Sequence, residues 1–336
     1  MSKPSADKPR GRRPLYAVTA ALLAVALAGG AWFLLGRGQP TDDCGTLVKD
    51  DRVRSALGSH YSAGMSCADL GAAVKAAPLG GKAAPHTQTQ ADSMKKILLA
   101  VNDSLIHGDR PLAADLRLPL AESLADYAND TQEILDGTNS EYTRWASPNS
   151  ITWQDTTGYH FSVFKGLLVR VLRAVSEEPA AYTALRDAQT RWGAAQLGSL
   201  TTEARKNDLE GAPVTNASAL GGYDAIAADV VRSKEASDAS RWMDAVYTAL
   251  RSPGASASMA PRSALSDRIA KSWRASLASV PAEERTDHLR EQGTFMFTAW
   301  AEAAGVGRDR AEPVEVRCRR AGQERYGAIA QNLRMS

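Results

Sequence analysis

The sequence predicts an all-α protein, with an N-terminal single transmembrane helix followed by an extracytoplasmic helical bundle. Two patterns carry this prediction: residues 14–36 contain no charge, and apolar residues recur at intervals of three and four through most of the chain after residue 91. No segment alternates convincingly between polar and apolar residues. Hydrophobic residues make up 44% of the chain and charged residues 23%, so a core can form and disorder over the whole length is excluded.

The uncharged run reads PLYAVTAALLAVALAGGAWFLLG and begins at Pro14. As a helix it would extend about 34 Å, and the hydrocarbon core of a bilayer is about 30 Å thick. Tyr16 and Trp32 lie near its two ends, where amphipathic rings favour the membrane interfaces. The sequence therefore predicts that residues 14–36 cross the lipid bilayer, with these two side chains as interface anchors.

Positive charge is concentrated before the uncharged run. Residues 1–13 have a net charge of +4, whereas residues 38–336 carry 34 basic and 37 acidic side chains. Because positive flanks stay on the cytoplasmic side, we expect a single-pass protein of the cell membrane with a cytoplasmic N-terminus and an extracytoplasmic C-terminal domain. The residues that set this topology are Lys8, Arg10, Arg12 and Arg13.

A cleavable signal peptide is the competing interpretation of the same run. Ala24, Ala26 and Ala28 have the small-residue spacing that a signal peptidase accepts. The uncharged run is longer than the apolar stretch of an ordinary signal peptide, which favours an uncleaved anchor. Either interpretation sends the bulk of the chain out of the cytoplasm.

The chain has three cysteines, which allow three different single bridges. Cys44 and Cys67 are nearest in the sequence, and an oxidising exterior favours their pairing. Closing that loop would stabilise the fold by roughly 3 kcal/mol. Cys318 would then be unpaired. A bridge from Cys318 to either of the other two is the next alternative, and three free or buried thiols are another.

Changes in composition divide the chain into segments. Residues 76–90 read AAPLGGKAAPHTQTQ, a polar stretch with proline and glycine that is typical of a linker. The predicted segments are a basic cytoplasmic tail (1–13), the transmembrane helix (14–36), a short linker (37–43), a small Cys-containing helical subdomain (44–76), a linker (77–90) and an all-α extracytoplasmic domain (91–336), built as one bundle or two.

Apolar stripes locate helices within the last segment. The clearest stripe, 161–175, predicts a core helix. Ser176–Pro179 predicts a stop and a restart, since proline is tolerated in the first turn of a helix. Pro119 predicts that the stripe 116–135 kinks or splits near Leu118. Three long polar connections interrupt the stripes, and they are residues 137–158, 198–222 and 251–262.

Residues 137–158 are the candidate contact loop. Loops this long are uncommon in compact domains unless they bind something or are disordered, and this one carries Tyr142, Trp145 and Trp153. Exposed aromatic residues are frequent anchors of protein interfaces. The alternative is that both tryptophans fold back and cap the helical bundle.

No motif for a cofactor or a metal is found, so the sequence predicts neither. The five histidines are scattered, without a His-x-x-x-His pair, and the acidic excess after the uncharged run argues against a nucleic-acid partner. Glu122-Ser123 resembles the start of the lytic transglycosylase motif, but the Gly-Leu-Met-Gln continuation is replaced by Leu-Ala-Asp-Tyr. A cell-envelope hydrolase with an acidic catalytic residue in 122–136 is therefore an alternative function.

Two segments carry a family resemblance. They read ADLRLPLAESLADYANDTQEIL at 114–135 and LRAVSEEPAAYTALRDAQTRWGAAQL at 172–197. Both resemble uncharacterised helical envelope proteins of streptomycete-type actinobacteria, which occur near WXG-like secreted and polymorphic-toxin components. The resemblance implies an envelope role in secretion or toxin handling, and it implies no catalytic or binding residue.

Taken together, these patterns favour a binding protein over an enzyme. We expect a membrane-anchored extracytoplasmic helical protein that acts as a binding or scaffold module for an unidentified envelope or secretion-associated protein. A cell-envelope hydrolase is the alternative already given, and a component of a toxin and immunity pair is a further one.

Overall fold

The computed structural model describes residues 44–79, 85–108, 110–200, 209–252 and 263–335, and Asp43–Ser336 form one compact unit. The predicted tail, membrane span and first linker lie outside the described residues, as do Tyr16, Trp32 and the four topology-setting residues. Among the described helices, none combines the length and the apolar character that crossing a bilayer requires.

The prediction of an all-α fold is confirmed for the described part of the chain. The first helices are α1 (Gly45–Lys49), α2 (Asp51–Leu57), α3 (Cys67–Leu79), α4 (Gln88–His107), α5 (Ala114–Asp126), α6 (Ala128–Asp136) and α7 (Ser140–Arg144). The later ones are α8 (Lys165–Val175), α9 (Pro179–Ser199), α10 (Gly211–Arg232), α11 (Ala236–Arg251), α12 (Ala264–Ser276), α13 (Arg285–Arg290), α14 (Gln292–Ala303) and α15 (Arg308–Met335).

A short β-hairpin lies inside the predicted loop 137–158 and just beyond it. Strands β1 (Trp153–Asp155) and β2 (Gly158–His160) pair antiparallel, with Trp153 opposite His160. The Asp155 carboxylate accepts a hydrogen bond from the Thr157 backbone N–H at 2.6 Å and closes the turn. Strands of three residues are too short to show the alternation that identifies a strand in a sequence, and the sequence therefore gave no sign of them.

The disulfide joins the segment before α1 to the start of α3. Cys44 and Cys67 are bonded, with their Cα atoms 5.7 Å apart, and Cys318 is a buried free thiol. The helices held by this bridge pack on later ones, since Ser93 Oγ of α4 donates to the Ala56 carbonyl at 2.9 Å and Ser123 Oγ of α5 donates to the Val74 carbonyl at 3.1 Å. Residues 44–79 thus share a core with the helices that follow.

Pro119 does not end a helix. Helix α5 runs through it to Asp126, and the break comes at Tyr127. A split near Leu118 is therefore wrong, and the kink that was the other predicted outcome stays a prediction. Proline leaves the carbonyl four residues earlier without its helical donor, and this Asp115 carbonyl faces Gly71 of α3, where a Cβ atom would lie 2.5 Å from it. Close contact with the glycine of another helix accommodates the interruption.

The stop and restart at residues 176–179 is confirmed. Helix α8 ends at Val175, and Pro179 is the first residue of α9. The helix that the clearest stripe predicted begins later than residue 161, because α8 starts at Lys165. Phe161 is buried ahead of the helix, whereas Phe164 is 56% exposed.

The predicted connection 198–222 is wrong in its second half, which belongs to α10. This half is rich in alanine, serine and glycine, and it packs closely on α14 and α15. A Cβ atom on Gly221 would lie 2.1 Å from the Gly322 carbonyl oxygen of α15, and one on Gly293 of α14 would lie 2.6 Å from Ala217 Cα. Helices that bury such small residues lack the stripe of large apolar side chains that identifies a core helix.

Candidate functional site

One of the three predicted contact residues is buried, and a second packs on it. Tyr142 is 3% exposed, and its hydroxyl donates to Asp130 Oδ1 at 2.7 Å. Trp153 packs edge-to-face on it, with the ring centroids 5.3 Å apart. The prediction that Tyr142 forms part of a contact surface is therefore wrong, because its polar end is satisfied inside the protein. Trp153 is half-buried, and its role in a contact stays a prediction.

Trp145 lies apart from this pair and remains half-buried. Its indole N–H donates to Glu141 Oε2 at 3.1 Å, and the Arg144 guanidinium stacks over the ring at 4.9 Å. Trp145 and Trp153 are thus both partly accessible to solvent, whereas Tyr142 is not.

Tyr142 and Trp153 both contact a histidine that is held between two carboxylates. His160 Nδ1 lies 2.6 Å from Asp130 Oδ1, and Nε2 lies 3.0 Å from Asp155 Oδ1. Burial alone would lower the pKa of His160, but the two carboxylates raise it to about 9. The Trp153 ring covers it, with centroids 4.5 Å apart. The imidazolium therefore acts as a cation that fixes β2 to α6.

This cation makes stability depend on pH. The pKa of His160 is about 9 in the folded protein and about 6.5 in an unfolded chain, so the folded state binds the proton more tightly. The stabilisation is fully present below about pH 6.5 and is lost as the pH rises through about 9. We expect it to reach up to about 3 kcal/mol.

The measurement is urea unfolding of the wild type and of His160→Gln at about pH 6 and pH 10. Burial lowers the pKa of Lys95 to about 8, so this residue makes the protein more stable as the pH rises over part of this range. Because both proteins contain Lys95, the relevant quantity is the difference between their free energies of unfolding. It should shrink as the pH rises. A difference that is the same at both pH values would contradict the imidazolium assignment.

A buried lysine fixes the loop between α7 and β1. Lys95 of α4 is 4% exposed, and its ammonium donates to the Trp145 carbonyl at 3.1 Å and to the Ser150 carbonyl at 2.9 Å. One turn earlier on α4, Asp92 accepts from the Thr152 hydroxyl at 2.7 Å. Two side chains of one helix therefore hold residues 145–152, which we call the anchored loop.

Ile151 lies between the two attachment points of the anchored loop. Its side chain is 63% exposed, which makes it one of the few large apolar side chains that lie mostly in solvent among the described residues. Its neighbours Ser150 and Thr152 are both tied to α4. The structure thus presents this side chain to solvent in a fixed position.

A second buried polar cluster lies at the centre of the bundle. Arg186 of α9 has no exposed surface, and its guanidinium donates to Asp224 Oδ1 at 2.5 Å, to the Tyr182 hydroxyl at 2.7 Å, to Gln292 Oε1 at 2.9 Å and to the Leu289 carbonyl at 2.7 Å. These partners come from α9, α10, α13 and α14. The cluster therefore joins four helices through one side chain.

The acidic residues of 122–136 are mostly paired. Glu122 lies 2.8 Å from Lys75 at the surface, and Asp126 lies 2.9 Å from His86. A general acid requires a raised pKa, and in this stretch burial raises the pKa of Glu133. The residue singled out for the hydrolase alternative, Glu122, therefore lacks the apolar surroundings that such a role requires.

The sequence interpretation missed Lys95, Arg186 and the pairing of His160. Lys95 and Arg186 are long cationic residues inside helical stripes, and such residues usually lie at the surface. A signal did exist for Arg186, since it follows Tyr182 by one helical turn and so shares a buried face. The two carboxylate partners of His160 are distant in sequence or on another strand, so a local pattern does not show their pairing.

Among the described residues, no group of three or more histidine, cysteine, aspartate or glutamate side chains is placed to hold a metal ion. The fold and the site define a helical domain with a disulfide near its start and a surface loop anchored to its core. Comparison of the chain with protein-family models, with curated proteins and with solved structures finds no match.

Proposed function

We propose that the protein is a membrane-anchored, extracytoplasmic binding module that contacts an envelope or secretion-associated protein through the anchored loop. The observation that carries this proposal is the fixed exposure of Ile151, which is 63% in solvent between two residues tied to α4. A preorganised apolar side chain loses little conformational entropy when a partner covers it.

The attachment of the loop supports a recognition role. A buried lysine is rare because removing its charge from water is costly, and burial lowers the pKa of Lys95 to about 8. Lys95 donates to carbonyl oxygens of the loop, and so this desolvated cation serves to hold a surface segment. Functional residues are often placed on loops that a rigid scaffold positions.

Two features support the location outside the cytoplasm. The Cys44–Cys67 bridge is of a kind that persists in oxidising compartments. The uncharged run 14–36, with its basic flank, ends shortly before Cys44, so a membrane anchor would hold the domain close to the bilayer. The resemblance of two helical segments to actinobacterial envelope proteins agrees with a partner involved in secretion or toxin handling.

One experiment tests both the location and the contact. The full-length Ile151→Cys variant is treated in intact cells with a membrane-impermeant maleimide that carries a photoactivatable group, and the cells are then irradiated. The native cysteines give little background, since Cys44 and Cys67 are bonded to each other and Cys318 is 1% exposed. Burial also raises the pKa of the Cys318 thiol to about 12. We expect labelling in intact cells and one discrete cross-linked product.

The matched control is Ile106→Cys, which places the same probe on a residue that is 50% exposed near the far end of α4. It should be labelled equally but give no discrete product. Labelling of both variants only after cell lysis would overturn the location. Labelling in intact cells with the same cross-linked products at both positions, or none at either, would overturn the contact at the anchored loop.

A further inference from the structure

Two small cavities adjoin the same buried carboxylate, that of Asp224 on α10. The first has a volume of about 190 Å³ and the second a volume of about 330 Å³, and Asp224 and Arg290 line both. Helices α10, α11 and α13 form the walls of the first cavity, and α13 and α15 form most of the second. Arg186, the cation that pairs with Asp224, is not among the described residues that line either cavity.

The first cavity, which we call the apolar cavity, is lined mainly by hydrocarbon. Arg232 also lines it, but this side chain extends to the surface and pairs with Asp229 on the same helix. Burial of an aliphatic chain against such walls is favourable, because it removes apolar surface from water. The apolar residues that form the walls are Ala227, Ala228, Val231, Met243 and Leu289.

The second cavity, which we call the polar cavity, is lined by charged side chains that mostly pair with one another. Arg290 Nη1 lies 3.1 Å from Asp287 Oδ1, and Arg319 Nε lies 3.3 Å from Glu291 Oε2. Each arginine of the lining therefore has a carboxylate partner, and Asp224 is a third carboxylate. With three carboxylates and two arginines, the lining has an excess of one negative charge.

Asp224 has one oxygen atom without a hydrogen-bond donor. Its Oδ1 accepts from Arg186 Nη1 at 2.5 Å, whereas Oδ2 receives no hydrogen bond from the described part of the chain. Asp224 is 7% exposed, and burial raises its pKa despite the cation beside Oδ1. A buried acceptor that lacks a donor costs free energy, so a ligand that donates to Oδ2 would recover it.

From this arrangement we infer that the two cavities bind a small organic ammonium ion. The ammonium group donates to Asp224 Oδ2, and the aliphatic chain that it carries fills the apolar cavity. A cation suits the site better than an anion does, because both arginines of the polar cavity are already paired and the atom without a partner is an acceptor. This site goes beyond the proposed protein contact, because it uses α10, α11, α13 and α15 rather than the anchored loop on α4.

The test is isothermal titration of the full-length protein in detergent with three probes of equal chain length. Hexylamine is a cation at about pH 7, as the lysine side chain is, while 1-hexanol is its neutral counterpart and hexanoate its anionic one. The heats of injection into empty micelles are subtracted. We expect saturable binding of hexylamine that is at least about tenfold tighter than that of 1-hexanol, because the ammonium charge strengthens the hydrogen bond to the carboxylate.

A pair of alanine substitutions tests the place of the aliphatic chain. Ala228→Leu puts a larger side chain into the apolar cavity, and we expect hexylamine to bind to it at least about tenfold more weakly than to the wild type. Ala245→Leu is the matched control, since Ala245 is exposed on α11 and lines neither cavity. It should bind hexylamine within about threefold of the wild type.

The variant Asp224→Asn tests the place of the ammonium group. It removes the negative charge and keeps an oxygen atom that can accept from Arg186. The preference for hexylamine over 1-hexanol should fall below about threefold in this variant. A thermal melt shows whether each variant folds. If Asp224→Asn does not fold, the order of the three probes on the wild type and the two alanine substitutions decide the inference.

Four results would overturn the inference. The first is the absence of hexylamine binding at about 10 mM, a concentration that detects even millimolar affinity. The second is binding of 1-hexanol or hexanoate as tightly as hexylamine, which would show that the ammonium group is not recognised. The third is an equal affinity of Ala228→Leu and Ala245→Leu for hexylamine, and the fourth is an unchanged preference for hexylamine in folded Asp224→Asn.

Discussion

Replacement of Arg186 by methionine is expected to lower the free energy of unfolding by about 3–5 kcal/mol. The guanidinium is fully buried and donates to four groups. Methionine fills much of the same volume, so the loss comes from the groups left behind. Asp224, which is 7% exposed, would become a buried carboxylate without its cation, and the Leu289 carbonyl would lose its donor.

The dependence on pH identifies the cause. Burial raises the pKa of Asp224 even with Arg186 in place, and loss of the cation raises it further. A folded-state pKa above that of the unfolded chain means that stability falls as the pH rises through the folded value. The difference in the free energy of unfolding between the wild type and Arg186→Met should therefore shrink as the pH is lowered from about 7 to about 5.

The double variant Arg186→Met with Asp224→Asn completes the measurement. It removes the uncompensated charge, so it should be more stable than Arg186→Met alone. Arg241→Met is the surface control, since Arg241 pairs with Asp238 in solvent, and it should change stability by less than about 0.5 kcal/mol. Equal stabilities of the single and double variants would show that lost packing, not the carboxylate, causes the effect.

The parts of the fold that the sequence predicted are those in which local chemistry decides the structure. Pro179 cannot donate a backbone hydrogen bond and is preorganised for the first turn of a helix, so the restart of α9 was visible in the sequence. The expected split at Pro119 did not occur. The Asp115 carbonyl, which lacks its helical donor, packs against Gly71 of a different helix. That contact depends on tertiary packing, which a local pattern does not contain.

The candidate site was predicted only in its location along the chain. The loop 137–158 was identified by its length and its aromatic residues, and the anchored loop lies within it. Which residues face solvent depended on partners far away in sequence: Asp130 draws Tyr142 inward, and Lys95 and Asp92 hold the segment around Ile151. The sequence next to an aromatic residue does not show whether a carboxylate from elsewhere in the chain will draw it into the core.

Substitution of Gly221 by alanine is the second change for which we expect a large loss of stability. The new Cβ atom would lie 2.1 Å from the Gly322 carbonyl oxygen and 2.8 Å from Gly322 Cα. These are backbone atoms of α15, so no side-chain rotation relieves the overlap, and α10 and α15 must separate. Overpacking of a tight core contact costs up to about 3 kcal/mol and occasionally more, and we expect at least that upper value here.

The separation of α10 and α15 in Gly221→Ala should also change the reactivity of a nearby side chain. Cys318 lies one helical turn before Gly322 on α15 and is 1% exposed, so it reports on the packing of this helix. In Gly221→Ala the thiol should react with a thiol reagent faster than in the wild type under native conditions. Urea unfolding of the same samples measures the global loss.

Gly327→Ala is the matched control on α15. A Cβ atom at Gly327 would meet nothing within 4 Å, and alanine favours the helix over glycine by about 0.5–1 kcal/mol. The same glycine-to-alanine change should thus stabilise the protein at position 327 and destabilise it at position 221. Equal effects at the two positions, or unchanged reactivity of Cys318 in Gly221→Ala, would contradict direct backbone contact between α10 and α15. The opposite signs are expected because one glycine is needed for a close approach and the other lies in solvent.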